Sequence, residues 1–434
     1  MYRITLKKKD NPDQELVVKP NENLLEVLTS AGSYIKTPCG GNGLCGKCKI
    51  KLFSLGPDPL PPYHQHEITN LTKKQRLSGY RLACQIRVNQ DLCVELENVD
   101  LKPHILTSGE EDLDVDPLIN KISFIVEPPS LTDQRADLER LEESLSPYKI
   151  NDLDLISLLP ELLRSQNYKG QAILAKDSVL SIEKEKAEHL LYGLVIDVGT
   201  TTIAVYFMDL STGKEVGVLS CLNPQALYGG DVISRIDYTL KEPEGLMILN
   251  NFIRQTINKL IIDGQEKFSI PGNQIYHLVV VGNTVMMHLL AGLPVNNIAL
   301  SPFIPVINRR IDLSARELGF PINPRALVTF LPLVSGFVGS DIIGAILACK
   351  LGESEEINLL VDIGTNGEIA LGNKEQIYVS SVAAGPAFEG ARISQGMAAL
   401  DGAINQVRIN EDLTYTTLGG KAARGICGSG IIEL

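Results

Sequence analysis

The 434-residue sequence has no uninterrupted apolar run approaching the ~18 residues of a membrane span, so no transmembrane helix is expected. Its opening stretch, Met1–Asp10, lacks the apolar core of a secretory signal, which makes a cytoplasmic location the expectation. Positive charge is also in deficit. The 40 Lys and Arg are outnumbered by 52 Asp and Glu, a net charge of −12, which argues against nucleic acid as a partner. The deficit is uneven, with 14 basic against 11 acidic side chains in residues 1–100 and 26 against 41 in residues 101–434. The mildly basic N-terminal region is a solvated surface or a docking face for an acidic redox partner. No GxGxxG fingerprint follows a predicted strand and no flavin signature is present, so a module that oxidises NAD(P)H directly is not expected.

What the chain does have is length for roughly two to four domains and eight cysteines. Without a secretory context those cysteines point to metal or redox use rather than to disulfides. Three lie in Pro38-Cys39-Gly40-Gly41-Asn42-Gly43-Leu44-Cys45-Gly46-Lys47-Cys48, a C-x5-C-x2-C pattern, and Cys84 follows after 35 intervening residues. Plant-type ferredoxins hold a [2Fe–2S] cluster with a similar C-x4-C-x2-C…C scheme. The wider first gap resembles the adrenodoxin and putidaredoxin branch of that fold. Zinc sites prefer two C-x2–4-C knuckles, and only one gap here fits. Cys39, Cys45, Cys48 and Cys84 are therefore the expected cluster ligands. A loop wrapped around a cluster must turn its amides toward sulfur, which glycines permit at little cost. Strands at Tyr2–Lys7, Leu16–Lys19, Lys49–Phe53 and Leu92–Leu96 and a helix at Leu24–Ala31 frame the loop. Cys93, Cys221, Cys349 and Cys427 are scattered and read as small apolar residues.

Residues 98–118 include the acidic run SGEEDLDVDP and read as a linker. Beyond it, a strand at Lys121–Glu127, a helix at Asp133–Ser144 capped by Thr132, and a further βα stretch predict a small α/β middle domain over residues 119–190.

At Leu191 the pattern changes. Gly193–Phe207 reads as a buried strand, a tight turn at Gly199–Thr202 and a second strand, and the arrangement recurs 165 residues later at Leu359–Leu371. Asp197, Gly199 and Thr200 align with Asp362, Gly364 and Thr365. A matched pair of strand–DxGT–strand units is far more specific than either copy alone. Glycine lets backbone approach phosphate oxygens, and Thr200, Thr201, Thr365 and Asn366 offer donors to them. An aspartate at each strand end suits Mg2+ held through water. Glu368 is an outward strand residue or an additional acid of the site, and Asp341 a helix cap or a metal ligand. Asn223–Ile236 reads as a loop crossing between lobes.

The pair resembles the phosphate motifs of the acetate kinase, sugar kinase, actin and heat-shock ATPase (ASKHA) superfamily. Gly425-Ile426-Cys427-Gly428-Ser429-Gly430 is similar to its adenosine motif. The resemblance implies a duplicated actin-like ATPase domain over residues 191–434, with Asp197 and Asp362 organising Mg2+ and water. Gly199, Thr200, Thr201, Gly364, Thr365 and Asn366 would cradle phosphates, and Gly425, Gly428, Ser429 and Gly430 would back the adenosine. Superfamily members continue past this motif, so the second lobe is expected to be incomplete.

A β-grasp [2Fe–2S] domain over residues 1–97, then linker, middle domain and ATPase, is similar to the reductive activators of corrinoid proteins. The segments NPQALYGGD, VGNTVMMHLLAG, DIGTNGEIALG and AGPAFEG carry that resemblance. It implies one-electron reduction of a Co(II) corrinoid to Co(I) on a corrinoid protein or corrinoid-dependent methyltransferase, driven by ATP. It also implies an upstream low-potential electron donor, a homodimer and an anaerobic setting. The scale fits: one electron lifted by several tenths of a volt needs on the order of 10 kcal/mol, at about 1.4 kcal/mol per 59 mV. Two other readings stay open: a small-molecule kinase of the same superfamily, or a nucleotide-binding redox sensor. A simple electron carrier leaves the duplicated motif unused.

Overall fold

Ile4 and Leu6 alternate with polar neighbours, and the strand this predicts forms as β1 (Tyr2–Lys8), paired antiparallel with β2 (Asn11–Val18). The computed structural model describes residues 1–8, 11–31, 33, 35, 37, 41, 43–96, 115–185, 190–364, 366–382, 395–397, 399–409 and 413–433. Asn23 caps α1 (Leu24–Ser30) by accepting from the Leu25 amide at 2.9 Å, and Leu24, Leu25 and Leu28 enter the core. Then come β3 (Lys49–Ser54), α2 (Gln65–Asn70), α3 (Lys73–Leu77), β4 (Tyr80–Leu82) and β5 (Leu92–Glu95). Capping boxes, His64 with Glu67 and Thr72 with Gln75, start the two short helices. The sheet order β2-β1-β5-β3-β4, with β1 and β5 parallel, is a β-grasp.

The acidic linker expected at 98–118 lies outside the described residues except for 115–118. Next come β6 (Ile119–Ile125), α4 (Asp137–Ser144), α5 (Leu153–Ser165), β7 (Lys169–Ala175) and β8 (Ser178–Glu183). The three strands form one antiparallel sheet with its own core around Leu141, Leu155, Leu159 and Leu163. Helix α4 starts four residues after the expected Asp133, because Asp133 is drawn into contacts with Arg135 and with Arg140 Nη1, the latter at 2.6 Å. Thr132 accordingly does not cap it.

β9 (Tyr192–Val198), β10 (Thr202–Asp209) and β11 (Glu215–Leu222) form an antiparallel meander. They are followed by α6 (Val232–Lys241), α7 (Gly245–Phe268), β12 (Ile275–Gly282), α8 (Thr284–Ala291), β13 (Ile311–Ser314), α9 (Ala315–Leu318), β14 (Leu327–Phe330) and α10 (Asp341–Ala348). The six-stranded sheet runs β11-β10-β9-β12-β14-β13, with β12 parallel to β9 and β14. Leu249, Ile253, Ile257 and Ile261 recur every fourth residue on α7 and pack with Ile196, Val205 and Phe207 of the sheet. This is the largest core of the molecule.

A second hairpin motif opens the last region as β15 (Asn358–Ile363), β16 (Gly367–Gly372) and β17 (Ile377–Val382), an antiparallel sheet of three strands. Its core is small: Val338, Ile342, Leu351 and Ala370. β18 (Ala403–Ile409), β19 (Leu413–Thr417), β20 (Gly425–Ile426) and α11 (Gly428–Ile432) complete the described chain. No helix among the described residues is long and apolar enough to cross a membrane.

Candidate functional site

The cysteine loop runs between α1 and β3. Gly41, Gly43 and Gly46 adopt positive φ angles of 81°, 76° and 62°, which bend the chain at these points and bring Gly43 and Gly46 against α2. A side chain at Gly43 would meet Gln85 Nε2 at 2.7 Å, and one at Gly46 would meet the Asn70 Cβ at 2.7 Å. Asn70 Nδ2 also donates to the Gly43 carbonyl at 3.1 Å. Cys48 and Cys84 are buried with their sulfurs 3.2 Å apart. The hydrogen bond that Cys48 donates to Cys84, and then burial, drive the Cys48 thiol far up, so two crowded thiols are mismatched to their surroundings without a cation. Gln85 Nε2 donates to Cys84 Sγ at 3.3 Å. Cys45 is partly buried and acts electrostatically on Cys48, while Cys39 lies outside the described residues. Paired sulfurs, a glycine-formed loop and a donor on sulfur fit a [2Fe–2S] cluster.

Cys84 is held from below. Glu67 is wholly buried and receives two parallel bonds at 2.9 Å from Arg81, plus the amides of Leu82 at 3.0 Å and His64 at 2.8 Å. Burial works against its charge, but these donors keep the carboxyl below its ordinary range. Neither the pair nor helix α2 is legible from the cysteine spacing.

In the first hairpin the turn Gly199–Thr201 is tied on three sides. Asn223 Nδ2 donates to the Gly199 carbonyl at 2.9 Å, Arg235 Nη2 to that of Thr200 at 2.5 Å, and the Asn223 amide to that of Thr201 at 2.8 Å. Its carbonyls are taken, and the Gly199 amide is used as well, donating to the Thr202 carbonyl at 2.9 Å. Thr200 Oγ1 accepts from Asn283 Nδ2 at 2.9 Å, which leaves the hydroxyl proton to donate elsewhere. A Cβ at Gly199 would lie 2.6 Å from the Thr202 carbonyl, so only glycine closes this turn.

Asn283 caps α8 by accepting from the Met286 amide at 3.0 Å. Thr284 Oγ1 donates to the Ser335 carbonyl at 2.6 Å. Ser340 is buried and exchanges bonds with Gly282, its Oγ accepting from that amide at 3.1 Å and its own amide donating to that carbonyl at 2.9 Å. Its hydroxyl therefore fastens the start of α10 to the end of β12 and makes no cap bond.

In the second hairpin, Gly364 donates to the Asn366 carbonyl at 3.0 Å, and Asp362 is paired directly across from Glu368. Thr365 lies outside the described residues. Asn366 and Ser381 face Asn283, Thr284 and Phe337 across a cavity of about 260 Å3 between the two hairpin regions. That is below the ~300 Å3 at which small-molecule pockets begin, and so is room for a phosphate group rather than a whole nucleotide. A larger cavity, about 830 Å3, lies away from these turns.

Four carboxylates converge electrostatically here. Burial, then Asp341 and Asp362, push Asp197 up to about 6, and burial with the same two acids pushes Glu368 up to about 7. Burial also raises Asp341 and Asp362. Asp197 and Asp362 are nevertheless exposed to solvent, so the cleft surrounds these carboxyls without closing them off, and their rise is smaller than full enclosure would give. Like charges directly opposite, as at Asp362 and Glu368, are destabilising unless a cation lies nearby. Among the described residues no three acids close directly around one ion. The donor set fits Mg2+ bound through its water shell.

Gly425, Gly428, Ser429 and Gly430 are not brought to these turns by any bond among the described residues. β20 pairs with β18, and a Cβ at Gly425 or Gly430 would lie 2.5 Å from the Gln395 carbonyl or 2.3 Å from that of Ile404. Close backbone packing accounts for those two glycines. Asn223–Ile236, expected to cross between the lobes, lines the cavity of about 260 Å3 with Val232 and Ile233 opposite Asn366 and Ser381, and also carries Leu227 onto the β-grasp core. The AGPAFEG segment, residues 384–390, lies outside the described ones.

Four family models match: the 2Fe-2S iron-sulfur cluster binding domain over residues 7–89, the RACo linker region over 108–189, the RACo middle region over 192–354, and the C-terminal domain of RACo, the ASKHA domain, over 356–434. The chain is similar to the corrinoid activation enzyme RamQ of Eubacterium limosum, 33% identical over 97% of this chain and 68% of that protein. It is also similar to the [Co(II) methylated amine-specific corrinoid protein] reductase of Methanosarcina barkeri, 27% identical over 50% of this chain and 41% of that protein. A solved structure titled reductive activator for corrinoid, iron-sulfur protein matches with TM-score 0.69 and 34% identity, over 100% of this chain and 72% of that one. A β-grasp cluster domain joined to two acid-bearing hairpins, and a whole-chain likeness of this extent, place the chain in the family of reductive activators of corrinoid proteins.

Proposed function

We propose that this chain is an ATP-dependent reductive activator that passes one electron to the Co(II) corrinoid of a corrinoid protein or corrinoid-dependent methyltransferase, giving Co(I). The observation that carries the reading is the convergence of Asp197, Asp341, Asp362 and Glu368 from two hairpin regions in a chain that also holds a cysteine-loop domain. When bound, the [2Fe–2S] cluster supplies a one-electron reductant. Cys39, Cys45, Cys48 and Cys84 would hold it, and Gln85 donates to the Cys84 sulfur. Asp197 and Asp362 would hold Mg2+ through water, with Asp341 and Glu368 shaping the charge around it.

Gly199, Thr200, Thr201, Gly364, Thr365 and Asn366 would bind the phosphates of ATP by amide and hydroxyl donors. Gly425, Gly428, Ser429 and Gly430 remain the proposed adenosine support. With its pKa near 6, Asp197 is poised to take a proton from attacking water. An upstream low-potential donor would recharge the protein, and a homodimer is the proposed assembly.

The test is anaerobic incubation of the reduced protein with a Co(II) corrinoid protein, with and without MgATP, followed by the absorbance of Co(I). Co(I) should form only with MgATP, and none under any condition overturns the reading. Cys48→Ser should lose cluster and reduction together, whereas Asp362→Ala should keep the cluster and lose the ATP-dependent part. A phosphorylated sugar or carboxylate as product would favour the kinase reading instead.

A further inference from the structure

Among the described residues Arg235 is one of the largest side chains wholly shut off from solvent. Its hydrogen bonds all go to neutral acceptors: the Gly229 carbonyl at 2.9 Å, Gln225 Oε1 at 3.1 Å, Met286 Sδ at 2.9 Å and the Thr200 carbonyl at 2.5 Å. Among the described residues no carboxylate forms an ion pair with it. A buried cation with no anion beside it is costly, since neutral dipoles replace only part of its hydration. Burial accordingly lowers its proton affinity to about 9, opposed by the more distant Asp231.

Besides Met286 on α8, the acceptors fall into two groups. Thr200 belongs to the first phosphate turn. Gln225 and Gly229 belong to the segment that meets the β-grasp domain, where Leu227 packs against the core containing Leu24, Leu25 and Leu28. Thr37 Oγ1 donates to the Ala226 carbonyl at 3.5 Å. Asn223 repeats the connection, bonding the Gly199 and Thr201 carbonyls while its Oδ1 accepts from the Gln225 amide at 3.0 Å. Gln225, itself fully buried, is anchored by Nε2 to the Leu249 carbonyl at 2.9 Å. The same segment lines the cavity of about 830 Å3, with Leu227 and Tyr228 on one wall and Gly41, Cys84 and Gln85 on the other.

We propose that Arg235 is a positioning residue that joins the phosphate turn to the seat of the cluster domain, its uncompensated charge being answered by nucleotide phosphate at Thr200 and Thr201. This rests on the nucleotide reading given above. Phosphate at the turn lowers the energy of the guanidinium in place, and that guanidinium also holds Gln225 and Gly229. Nucleotide occupancy and the order of residues 223–229 are then one equilibrium, and Cys84 faces its far side.

The test uses the full chain with its cluster assembled anaerobically. MgADP binding is measured by calorimetry, amide hydrogen exchange is followed over residues 223–229, and the cluster is watched by visible circular dichroism. In the unaltered protein MgADP should slow exchange at 223–229 about tenfold or more and change the cluster spectrum. Arg235→Met should weaken MgADP by at least about tenfold. Should that variant fail to fold, Arg235→Lys keeps the charge without the planar fork. It should bind MgADP within about threefold of the unaltered protein while losing the exchange response at 223–229. Leu227→Ser should keep MgADP affinity and lose only the spectral change. MgADP binding with no exchange response in the unaltered protein, or a full response in Arg235→Lys, overturns the proposal and leaves the nucleotide site standing. Failure of the unaltered protein to bind MgADP overturns both.

Discussion

The two hairpins repeat a sequence but not an energetic design. The first turn is backed by six strands and two buried helices, and its three carbonyls are taken by Asn223 and Arg235. The second stands on three strands, with Leu359, Val361 and Ile363 of β15 about half exposed or more, at 62%, 48% and 50%. The closing pairs differ too, Val198 with Ile203 in the first and Ile363 with Gly367 in the second, which makes the second loop one residue shorter. One half of the cleft is therefore a fixed platform. The other supplies acids from a sheet with fewer strands and fewer bonds to its turn in this 434-residue chain, so the halves should respond unequally to the same chemical change.

The largest contrast should come from the paired glycines. A Cβ at Gly199 falls 2.6 Å from the Thr202 carbonyl, but one at Gly364 falls 3.4 Å from that of Asn366. Gly199→Ala should cost about 2–3 kcal/mol in thermal or denaturant unfolding, and Gly364→Ala less than about 1 kcal/mol. Equal costs would break the comparison. Smaller is the contrast between the asparagines. Asn283→Ala removes both a helix cap and the donor to Thr200, and should cost about 1–2 kcal/mol. Asn366→Ala, partly exposed at its turn, should change stability by less than about 0.5 kcal/mol. Nucleotide titration should show the same order.

The smallest effect is shared by the two halves and sharpens what joins them. Asp197, near 6, and Glu368, near 7, are raised, so their ionisation is disfavoured in the folded protein. The folded state holds extra protons between the unfolded carboxylate range and those values. Stability should therefore fall as pH rises through about 4 to 7. Mg2+ at tenfold above its Kd should restore about 1.4 kcal/mol at pH 8, visible as a higher Tm. At pH 5.5 the shift should be less than half as large, because these acids are then largely protonated. A Mg2+ effect independent of pH would remove the acids from the metal site.

Much of this was legible in the sequence. The cysteine spacing and its glycines located the cluster loop, because metal geometry and positive φ leave few other choices. The DxGT repeat located both turns, because phosphate approach needs glycine beside donors. What escaped were residues whose partners are backbone atoms distant in sequence. Arg235 and Asn223 serve carbonyls of a turn more than twenty residues away, and nothing in NPQALYGGD or the following helix announces that. Asn283 stands within VGNTVMMHLLAG, and only the fold brings it to Thr200. β4 was too short to show alternation, and α2 and α3 rest on capping boxes rather than on apolar period.

The pair Glu67 and Arg81 has one more consequence. An electron moves quickly only where the surroundings scarcely rearrange when the charge changes. Glu67 ties the amide of Leu82, two residues before Cys84, to a helix, and it is closed off from water with every bond near 3 Å or shorter. Such a frame cannot swing its dipoles to follow the charge. For a cluster held at Cys84, this frame should contribute little reorganisation energy, which would leave the approach of the acceptor to set the speed of delivery.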